Sequence, residues 1–304
     1  MSELAKPRLV TLVVNERSGG GRAGRMLPKV ARRIREQVPD AELHIISSSS
    51  WADAEKLTRA AALNARVGDA LVVMGGDGMA HLGLNAAAGT CSTLGLIPAG
   101  TGNDFARGVG IPRTVDEAVD VIVSGRTRTV DLARITNPAF PFRYVGAVVS
   151  TGYDARVNRA TNHIRLRLGA LSYGYIALRE LTSFDPLRYR LVLDGETREQ
   201  EAMLVAVANS GIFGGGMRIA PDADPADGLL DVTIVGPVSR TTLLRLLPSM
   251  YSGNFVRHPC VEQLRARRVE ISGEGLFVMG DGEELGEVPV VAECAPGVLR
   301  IFAS

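Results

Sequence analysis

Cysteine is scarce in this 304-residue chain, which contains only three, at Cys91, Cys260 and Cys294. An odd number of widely separated cysteines does not suit a disulfide framework of the kind that small secreted domains use. The sequence also has no Cys-x-x-Cys pair and no cluster of cysteine with histidine. It therefore gives no indication of a disulfide scaffold or of a zinc site.

The chain also lacks a strong charge of either sign. Its 34 lysines and arginines nearly balance its 33 aspartates and glutamates, so that the net charge is +1. Binding to nucleic acid usually relies on a large positive field, so we expect no nucleic-acid partner. The P-loop sequence GxxxxGK[ST] is absent as well, which excludes a kinase of the P-loop class.

Long hydrophobic segments are also missing. The N-terminal sequence MSELAKPRLV contains no apolar core of the kind that a signal peptide needs. The longest stretch without Asp, Glu, Lys or Arg covers residues 78–103, but repeated glycines, Asn85 and Pro98 interrupt it. These observations predict a soluble, cytoplasmic protein.

The first part of the chain alternates apolar strands with helices. Strands are predicted at residues 9–14, 43–46, 71–74 and 94–97, and helices at residues 26–38, 52–64 and 114–123. This alternation predicts a parallel sheet with right-handed crossovers. We therefore expect an α/β domain over residues 1–127.

After residue 125 the pattern changes to short strands separated by turns that contain Gly, Asp, Asn or Pro. The predicted strands cover residues 130–135, 144–150, 189–193, 202–208, 229–235 and 269–271. They predict a second, mostly antiparallel β domain over residues 128–304, with a helical insertion near residues 156–185. Two domains agree with the length of the chain, at about 150 residues for each domain.

Two glycine-rich turns are the most informative feature of the sequence. GGDG at residues 75–78 follows one predicted strand, and PAGTGND at residues 98–104 follows the next. Ligands of open α/β sheets bind beyond the carboxyl ends of the strands, and the main-chain N–H groups of such turns bind anions. A helix beginning near Gly78 adds positive potential for a phosphate. Asp77 would repel phosphate unless it holds Mg²⁺, which binds carboxylates together with substrate phosphates.

A third glycine-rich segment follows the first strand. Gly19, Gly21 and Gly24 fit the dinucleotide pattern GxGxxG, and Glu42 stands near the position expected for a ribose-binding acid. The pattern is weak by itself. A dinucleotide site and a connection that binds no ligand therefore both remain open at this point.

The pair GGDG and PAGTGNDFAR resembles the diacylglycerol kinase catalytic domain of bacterial lipid kinases, which are related to sphingosine kinases and more remotely to NAD kinases and phosphofructokinases. The resemblance covers nearly the whole chain. It implies an NAD kinase/phosphofructokinase-like α/β domain that binds ATP, followed by a β-sandwich that carries acceptor and catalytic groups. The residues that it implies for nucleotide binding are Asn15, Glu16, Arg17, Ser18, Gly19, Ser48, Gly75, Gly76, Asp77, Gly78, Thr101, Asn103 and Asp104.

The sequence departs from the family pattern just after GGDG. The family usually has Thr there, followed by an Asn-Glu pair, whereas this chain has Met79 and, near the pair, His81 and Leu82. The change removes one hydroxyl contact to phosphate or metal. It affects the expected details of nucleotide binding more than the expected fold.

The predicted insertion is rich in arginine, leucine and tyrosine. Seven arginines lie within residues 156–190, where they outweigh Glu180 and Asp185. This composition suits peripheral contact with an anionic membrane surface, although an amphipathic helix with a solvated basic face has the same composition. A kinase that takes its substrate from a bilayer favours the first interpretation.

An acidic segment, PDADPADG, lies at residues 221–228. It is not an EF-hand loop, because glycine stands at the seventh position counted from Asp222, instead of the sixth, and Thr233 stands at the twelfth, instead of glutamate. The family resemblance implies a structural Mg²⁺ held by Asp227 and by mainly main-chain oxygens of Asp224 and Leu229, although Ala226 replaces a family Asp. A turn without metal remains the alternative.

A second acidic segment, GDGEE, lies at residues 280–284. Phosphoryl transfer to an alcohol needs a carboxylate near the hydroxyl to accept its proton. The resemblance implies that Asp281 or Glu283 is this catalytic base, without deciding between them. A simple Asp-Gly hairpin turn is the alternative.

Together these features predict a lipid kinase that uses ATP and Mg²⁺ to convert diacylglycerol to phosphatidate, with Asp77 at the catalytic Mg²⁺. Peripheral membrane contact and a homodimer are also expected. The competing hypotheses are a kinase of a sphingosine-like or glycolipid alcohol, an NAD kinase, a Rossmann dehydrogenase and a non-catalytic lipid-binding regulator.

Overall fold

The computed structural model describes residues 2–3, 7–47, 50–163 and 184–303. The chain forms two compact units: unit 1 is Met1–Leu132 with Pro296–Ser304, and unit 2 is Ala133–Ala295. The predicted boundary, between residues 127 and 128, falls inside one continuous strand. The C-terminal residues return to unit 1, where Ile301 pairs in parallel with Leu94.

Unit 1 alternates strands with helices, as predicted. Its elements are β1 (Ser2–Glu3), β2 (Leu9–Val14), α1 (Ser18–Gln37), β3 (Glu42–Ser47), α2 (Trp51–Leu63), β4 (Ala70–Gly75), α3 (Asp77–Ala87), β5 (Thr93–Pro98), α4 (Asp104–Gly108), α5 (Val115–Val123) and the start of β6 (Arg126–Asn137).

The sheet of unit 1 is parallel, in the order β3-β2-β4-β5. Every residue of β4 and β5 is buried, which explains why these strands read as continuous apolar runs. Because β2, β4 and β5 are neighbours, the three glycine-rich loops that follow them begin at the same edge of the sheet.

Two helices of unit 1 begin at side-chain caps. Ser50 Oγ accepts the N–H of Asp53 at 3.2 Å, and Thr114 Oγ1 accepts the N–H of Glu117 at 3.3 Å. Each cap satisfies one of the N–H groups that a helix leaves unpaired at its start. Ser50 thus fixes the start of α2, which lies one residue before the helix predicted at residues 52–64.

Unit 2 is mostly β structure. Its elements are the rest of β6, β7 (Phe140–Val145), β8 (Val148–Gly152), α6 (Tyr153–His163), β9 (Leu187–Leu193), β10 (Glu196–Ala202), β11 (Leu204–Ala208), β12 (Ile212–Phe213), β13 (Met217–Arg218), β14 (Leu230–Val235), α7 (Arg240–Ser252), a 3₁₀ turn (Asn254–Arg257), β15 (Val261–Ala266), β16 (Arg268–Ser272), β17 (Phe277–Gly280), β18 (Glu283–Glu287) and β19 (Val290–Phe302).

Two antiparallel sheets form the predicted β-sandwich of unit 2. One has the order β15-β14-β11-β8-β17-β18, and the other includes β10, β9, β16 and the start of β19. Apolar side chains of both sheets share one core, for example Val205 and Val232 from the first sheet and Leu191 and Ile271 from the second. Burial of these faces stabilises the sandwich.

Two details of unit 2 differ from the predicted strands. The segment predicted as one strand over residues 144–150 is divided between β7 and β8, at Gly146 and Ala147. Helix α7 was not predicted, although Ser239 Oγ caps it by accepting the N–H of Thr242 at 3.1 Å. Of the predicted insertion, α6 is observed, and residues 164–183 lie outside the described residues.

No helix within the described ranges is both long enough and apolar enough to cross a membrane.

Candidate active site

Local hydrogen bonds and three consecutive glycines shape the loop after β2. Asn15 Oδ1 accepts the N–H of Arg17 at 3.1 Å, and the Asn15 carbonyl accepts the N–H of Ser18 at 2.9 Å. Gly19, Gly20 and Gly21 then have φ values of 60°, 66° and 82°, so the regular part of α1 begins after them. Residues with a Cβ rarely adopt this conformation.

The loop after β2 touches the loops that follow β4 and β5. A Cβ placed on Gly19 would lie 2.2 Å from the carbonyl oxygen of Ala99. A Cβ placed on Gly75 would lie 3.1 Å from Ser18 Oγ. Glycine is therefore required at Gly19, because the backbone of another loop occupies the space of its side chain.

The GGDG and PAGTGND turns are also in contact. A Cβ on Gly100 would lie 2.3 Å from Cα of Gly76. The Gly75 carbonyl accepts the N–H groups of Ala99 at 2.8 Å and of Gly100 at 3.1 Å. The structure thus brings the two motifs together in one surface built mainly from main-chain atoms.

Asp77 joins these two turns through its carboxylate. Oδ2 accepts the N–H of Asn103 at 2.8 Å, and Oδ1 accepts the N–H of Asp104, the first residue of α4. Asp77 stands at the start of α3, close to the predicted start at Gly78, and is half-buried. Its carboxylate is held in a fixed orientation, and each oxygen can accept a further contact from a cation.

Asn103 closes the PAGTGND turn on itself. Its Oδ1 accepts the N–H of Gly100 at 3.1 Å, and its Nδ2 donates to the Gly100 carbonyl at 3.0 Å. Asn103 has a left-handed backbone, with φ 55°, which asparagine tolerates better than most residues. Thr101 is exposed on this turn, whereas Asp104 is buried.

Two other residues predicted for nucleotide binding, Glu16 and Arg17, are exposed on the loop after β2. Glu16 Oε1 accepts a hydrogen bond from Ser47 Oγ at 2.8 Å. Ser48 lies outside the described residues. Met79 is buried beneath Gly75, so an apolar side chain supports the turn where the family usually has a hydroxyl.

In unit 2, Asp281 and Gly282 connect β17 to β18. Their φ values are 50° and 85°, as in a two-residue hairpin with a type I′ turn. Asp281 Oδ2 accepts the N–H of Gly146 at 2.9 Å, and Oδ1 accepts the N–H of Ala147 at 2.8 Å. The carboxylate is therefore fixed by two consecutive amides, whereas Glu283 is exposed at the start of β18.

A second hairpin of unit 2 has the same construction. Asp194 and Gly195 connect β9 to β10 with φ values of 47° and 96°. The Asp194 carboxylate accepts the N–H of Arg267 at 3.0 Å and that of Arg268 at 2.8 Å. The described residues thus contain two Asp-Gly turns whose carboxylates are anchored on consecutive amides. The anchoring of Asp281 therefore does not by itself indicate catalysis.

The acidic segment before β14 is paired with an arginine that was not predicted. Arg265 forms an ion pair with Asp227, and its Nε lies 3.4 Å from Asp231 Oδ1. Asp231 is buried, and its Oδ2 finds no hydrogen-bond partner among the described residues. Burial, followed by the charges of Asp222 and Asp224, raises the pKa of Asp231 to about 6.

Models of two protein domains match this chain. The diacylglycerol kinase catalytic domain matches residues 9–135, and the YegS C-terminal NAD kinase beta sandwich-like domain matches residues 147–303. A diacylglycerol kinase of Mycobacterium tuberculosis (strain ATCC 25618 / H37Rv) is 37% identical over 295 residues, which cover 96% of this chain and 94% of that protein. The chain belongs to the diacylglycerol kinase family of lipid kinases.

A second relative and a solved structure agree with membership of the diacylglycerol kinase family. A diacylglycerol kinase of Bacillus subtilis (strain 168) is 27% identical over 283 residues, which cover 91% of this chain and 90% of that protein. The crystal structure of a protein from Bacillus anthracis str. Sterne matches this structure with a TM-score of 0.80 and a sequence identity of 25%, and the match covers 99% of both chains. The lipid kinase therefore has the α/β domain and the β-sandwich that the family resemblance implied.

The family resemblance implies a structural Mg²⁺ at the acidic segment, and the residues of this segment can be tested for their fit to that ion. No group of three or more His, Cys, Asp or Glu side chains is arranged as a metal site in the described part of the lipid kinase. The implied site needs only one carboxylate, that of Asp227, together with main-chain oxygens, and such oxygen donors suit Mg²⁺. Oδ2 of Asp231, which has no hydrogen-bond partner within the described ranges, suits a nearby cation, and Arg265 competes with Mg²⁺ for Asp227.

Replacing Arg265 should make the stability of the lipid kinase depend on Mg²⁺. We expect Arg265→Met to lower the free energy of unfolding by about 1–3 kcal/mol, because Asp227 and Asp231 lose their charged partner. Millimolar MgCl₂ should then raise the melting temperature of the variant more than that of the wild type. Arg198→Met is the control, since Arg198 forms a 2.8 Å ion pair with Glu262 and not with a carboxylate of the acidic segment. An equal response to Mg²⁺ in all three proteins would contradict this prediction.

Proposed function

We propose that this lipid kinase transfers the γ-phosphoryl group of ATP to the primary hydroxyl of diacylglycerol and forms phosphatidate. The observation that carries the proposal is the convergence of three glycine-rich loops on one main-chain surface in unit 1, where side chains would not fit. Relatives named diacylglycerol kinase, which match nearly the whole chain, support the choice of acceptor.

The phosphates of ATP would lie against the loops that begin at Asn15, Gly75 and Pro98. Main-chain N–H groups and the start of α3 can donate to phosphate oxygens without the cost of ordering long side chains. Mg²⁺, when bound, would neutralise charge on the phosphates, and Asp77 would hold it directly or through water. The hydrogen bonds from Asn103 and Asp104 keep the Asp77 carboxylate in one orientation for this task.

Asp281 would accept the proton of the acceptor. The hydroxyl oxygen of diacylglycerol forms a bond to the γ-phosphorus, the bond from that phosphorus to the bridging oxygen of ADP breaks, and the hydroxyl proton passes to the carboxylate. The amides of Gly146 and Ala147 hold this carboxylate rigid, which suits a base whose position decides the rate. Glu283 is the alternative base.

Three further assignments stay predictions. The first is a structural Mg²⁺ at Asp227, with main-chain oxygens of Asp224 and Leu229. The second is peripheral contact with an anionic membrane surface through the region that begins with α6. The third is a cytoplasmic homodimer.

The acceptor can be identified with ATP labelled in its γ-phosphate. Purified wild-type protein and MgCl₂ are incubated in parallel with mixed micelles of dioleoylglycerol, with sphingosine, with a glycolipid and with NAD. We expect label in phosphatidate, at a rate well above that of the other acceptors. Faster labelling of sphingosine, glycolipid or NAD would replace diacylglycerol as the substrate, and no transfer to any acceptor would favour a lipid-binding regulator.

A further inference from the structure

A cavity in unit 2 combines two arginines with aromatic and aliphatic side chains. It has a volume of about 650 Å³ and lies between α6 and the segment that leads into β17. Arg156 and Arg159 line it from α6, and Phe184, Leu187, Leu276 and Phe277 contribute apolar surface. Its size is within the range of small-molecule sites, and a phosphate group alone would fill only a small part of it.

Both guanidinium groups are held on aromatic rings. Cζ of Arg159 lies 4.8 Å from the centre of the Phe277 ring, and Cζ of Arg156 lies 5.8 Å from that of Phe184. Arg156 and Arg159 are three residues apart on α6, so their side chains leave the helix on the same side. A guanidinium stacked on a ring keeps the planar N–H fork that binds phosphate oxygens.

Among the described residues, the two acidic side chains at the cavity, Asp185 and Glu284, are each paired with an arginine. Asp185 also lines the cavity, but its Oδ1 lies 3.3 Å from Nη2 of Arg240. Glu284 lies 3.4 Å from Nε of Arg159, and this pair is about half exposed, so water screens it. A negatively charged group can therefore compete with Glu284 for Arg159.

The rings of the cavity argue against a nucleotide as its ligand. Phe184 is 3% exposed, with Arg156 over its face and Tyr153 packed against it at 5.5 Å between ring centres. Arg159 covers the ring of Phe277. Because the two guanidinium groups already cover the faces of these rings, a nucleotide base has little aromatic surface on which to stack. Flexible hydrocarbon, in contrast, can contact the leucines and the edges of the rings.

We propose that this cavity binds the phosphate-bearing headgroup of an anionic glycerolipid. The phosphate lies between Arg156 and Arg159, and the glycerol and the first part of the acyl chains contact Leu276 and Phe277. This site goes beyond phosphoryl transfer, since it needs neither ATP nor Asp281. Anionic lipids of the membrane and a phosphatidate product share the chemistry that it recognises.

Calorimetric titration without nucleotide tests this site separately from the kinase reaction. The probe is dioctanoyl phosphatidate below its micelle concentration, added to the full-length wild-type protein. We expect saturable binding, and we expect Arg156→Gln and Arg159→Gln each to weaken it by about tenfold or more, because each removes a charged hydrogen bond. Glu284→Gln should strengthen binding by roughly two- to fivefold, since it removes the competing carboxylate.

The matched control is Arg143→Gln, because Arg143 stands over the Phe140 ring at 5.4 Å in the same unit but outside the cavity. The affinity of Arg143→Gln for dioctanoyl phosphatidate should equal that of the wild type, and thermal melts should show that every variant is folded. Two further ligands separate the parts of the lipid: dioctanoylglycerol lacks the phosphate, and glycerol 3-phosphate lacks the chains. Dioctanoyl phosphatidylglycerol tests whether a phosphodiester lipid of the membrane binds as tightly as phosphatidate, which is a phosphomonoester.

Several results would overturn the proposal. One is the absence of saturable binding of either anionic lipid to the wild type, and another is an Arg156→Gln/Arg159→Gln double variant that binds phosphatidate as tightly as the wild type does. Dioctanoylglycerol bound as tightly as phosphatidate would show that the arginines do not select the phosphate. Glycerol 3-phosphate bound as tightly would show an anion site without a lipid component.

Discussion

Asp281→Asn should reduce the turnover number of phosphate transfer to diacylglycerol by about 10²- to 10⁴-fold, the range for loss of a general base. The KM for ATP should stay nearly unchanged, because the proposed phosphate contacts all belong to unit 1. Steady-state kinetics with labelled ATP and dioleoylglycerol micelles measure both quantities. An unchanged turnover number would show that Asp281 serves only the hairpin turn.

The same substitution should also lower stability, for a reason that the structure makes specific. The carboxylate accepts two consecutive N–H groups, from Gly146 and Ala147. Asparagine tolerates the left-handed backbone but offers only one acceptor oxygen, so its NH₂ group would face an N–H donor. We expect a loss of about 1–3 kcal/mol in the free energy of unfolding.

Asp194→Asn is the matched control, since its Asp-Gly hairpin is anchored on the amides of Arg267 and Arg268 in the same way. It should lose a similar amount of stability while its folded fraction keeps wild-type turnover. Turnover losses of equal size in Asp194→Asn and Asp281→Asn would remove the catalytic assignment. Glu283→Gln decides between the two carboxylates, because it should retain turnover if Asp281 is the base.

Asp77→Asn should lower kcat/KM by about 10²- to 10³-fold, the range for losing one electrostatic group that acts on the transition state. The neutral amide binds Mg²⁺ more weakly than a carboxylate does, so the concentration of Mg²⁺ needed for half-maximal rate should rise. The substitution also weakens the start of α4, where Asp77 accepts two N–H groups, at a cost of about 1–2 kcal/mol. Titration of the initial rate with MgCl₂ measures the first effect, and thermal melts measure the second.

Asp69→Asn is the control for Asp77→Asn, because Asp69 precedes the amino end of the same strand, β4. Asp69 is buried, accepts the N–H of Arg66 at 2.9 Å and forms a 3.1 Å ion pair with Arg8. Its replacement should cost stability without changing the Mg²⁺ requirement of the folded enzyme. A Mg²⁺ requirement that stays the same in Asp77→Asn would contradict a metal role for Asp77.

The sequence was sufficient to predict what depends on neighbouring residues. Strands β4 and β5 are continuous apolar runs because every residue is buried, and Ser50 caps α2 because it stands just before the helix. The contact between the GGDG and PAGTGND turns also followed from the order of the strands. Parallel neighbours end at the same edge of a sheet, so loops from β4 and β5 must meet there.

Features that lack an apolar pattern, or that depend on partners far along the chain, could not be predicted. Strand β10, ETREQEA, lies next to β9 at the end of its sheet in the described part of the chain, and it is almost entirely polar, so it has no apolar signal. The pairing of Arg265 with Asp227 joins residues 38 positions apart. The twin Asp-Gly hairpins are visible as dipeptides, but their amide partners, such as Gly146, are set by the tertiary fold alone.

The central claim is that main-chain amides of three converging loops hold the phosphates of ATP. Amide chemical shifts of the ¹⁵N-labelled protein, recorded by TROSY during titration with a non-hydrolysable ATP analogue and MgCl₂, test it most directly. We predict that the largest shifts belong to the amides of Gly19, Gly76 and Thr101, one from each loop, and that they saturate together. Saturable binding that leaves these three amides unchanged would contradict the account.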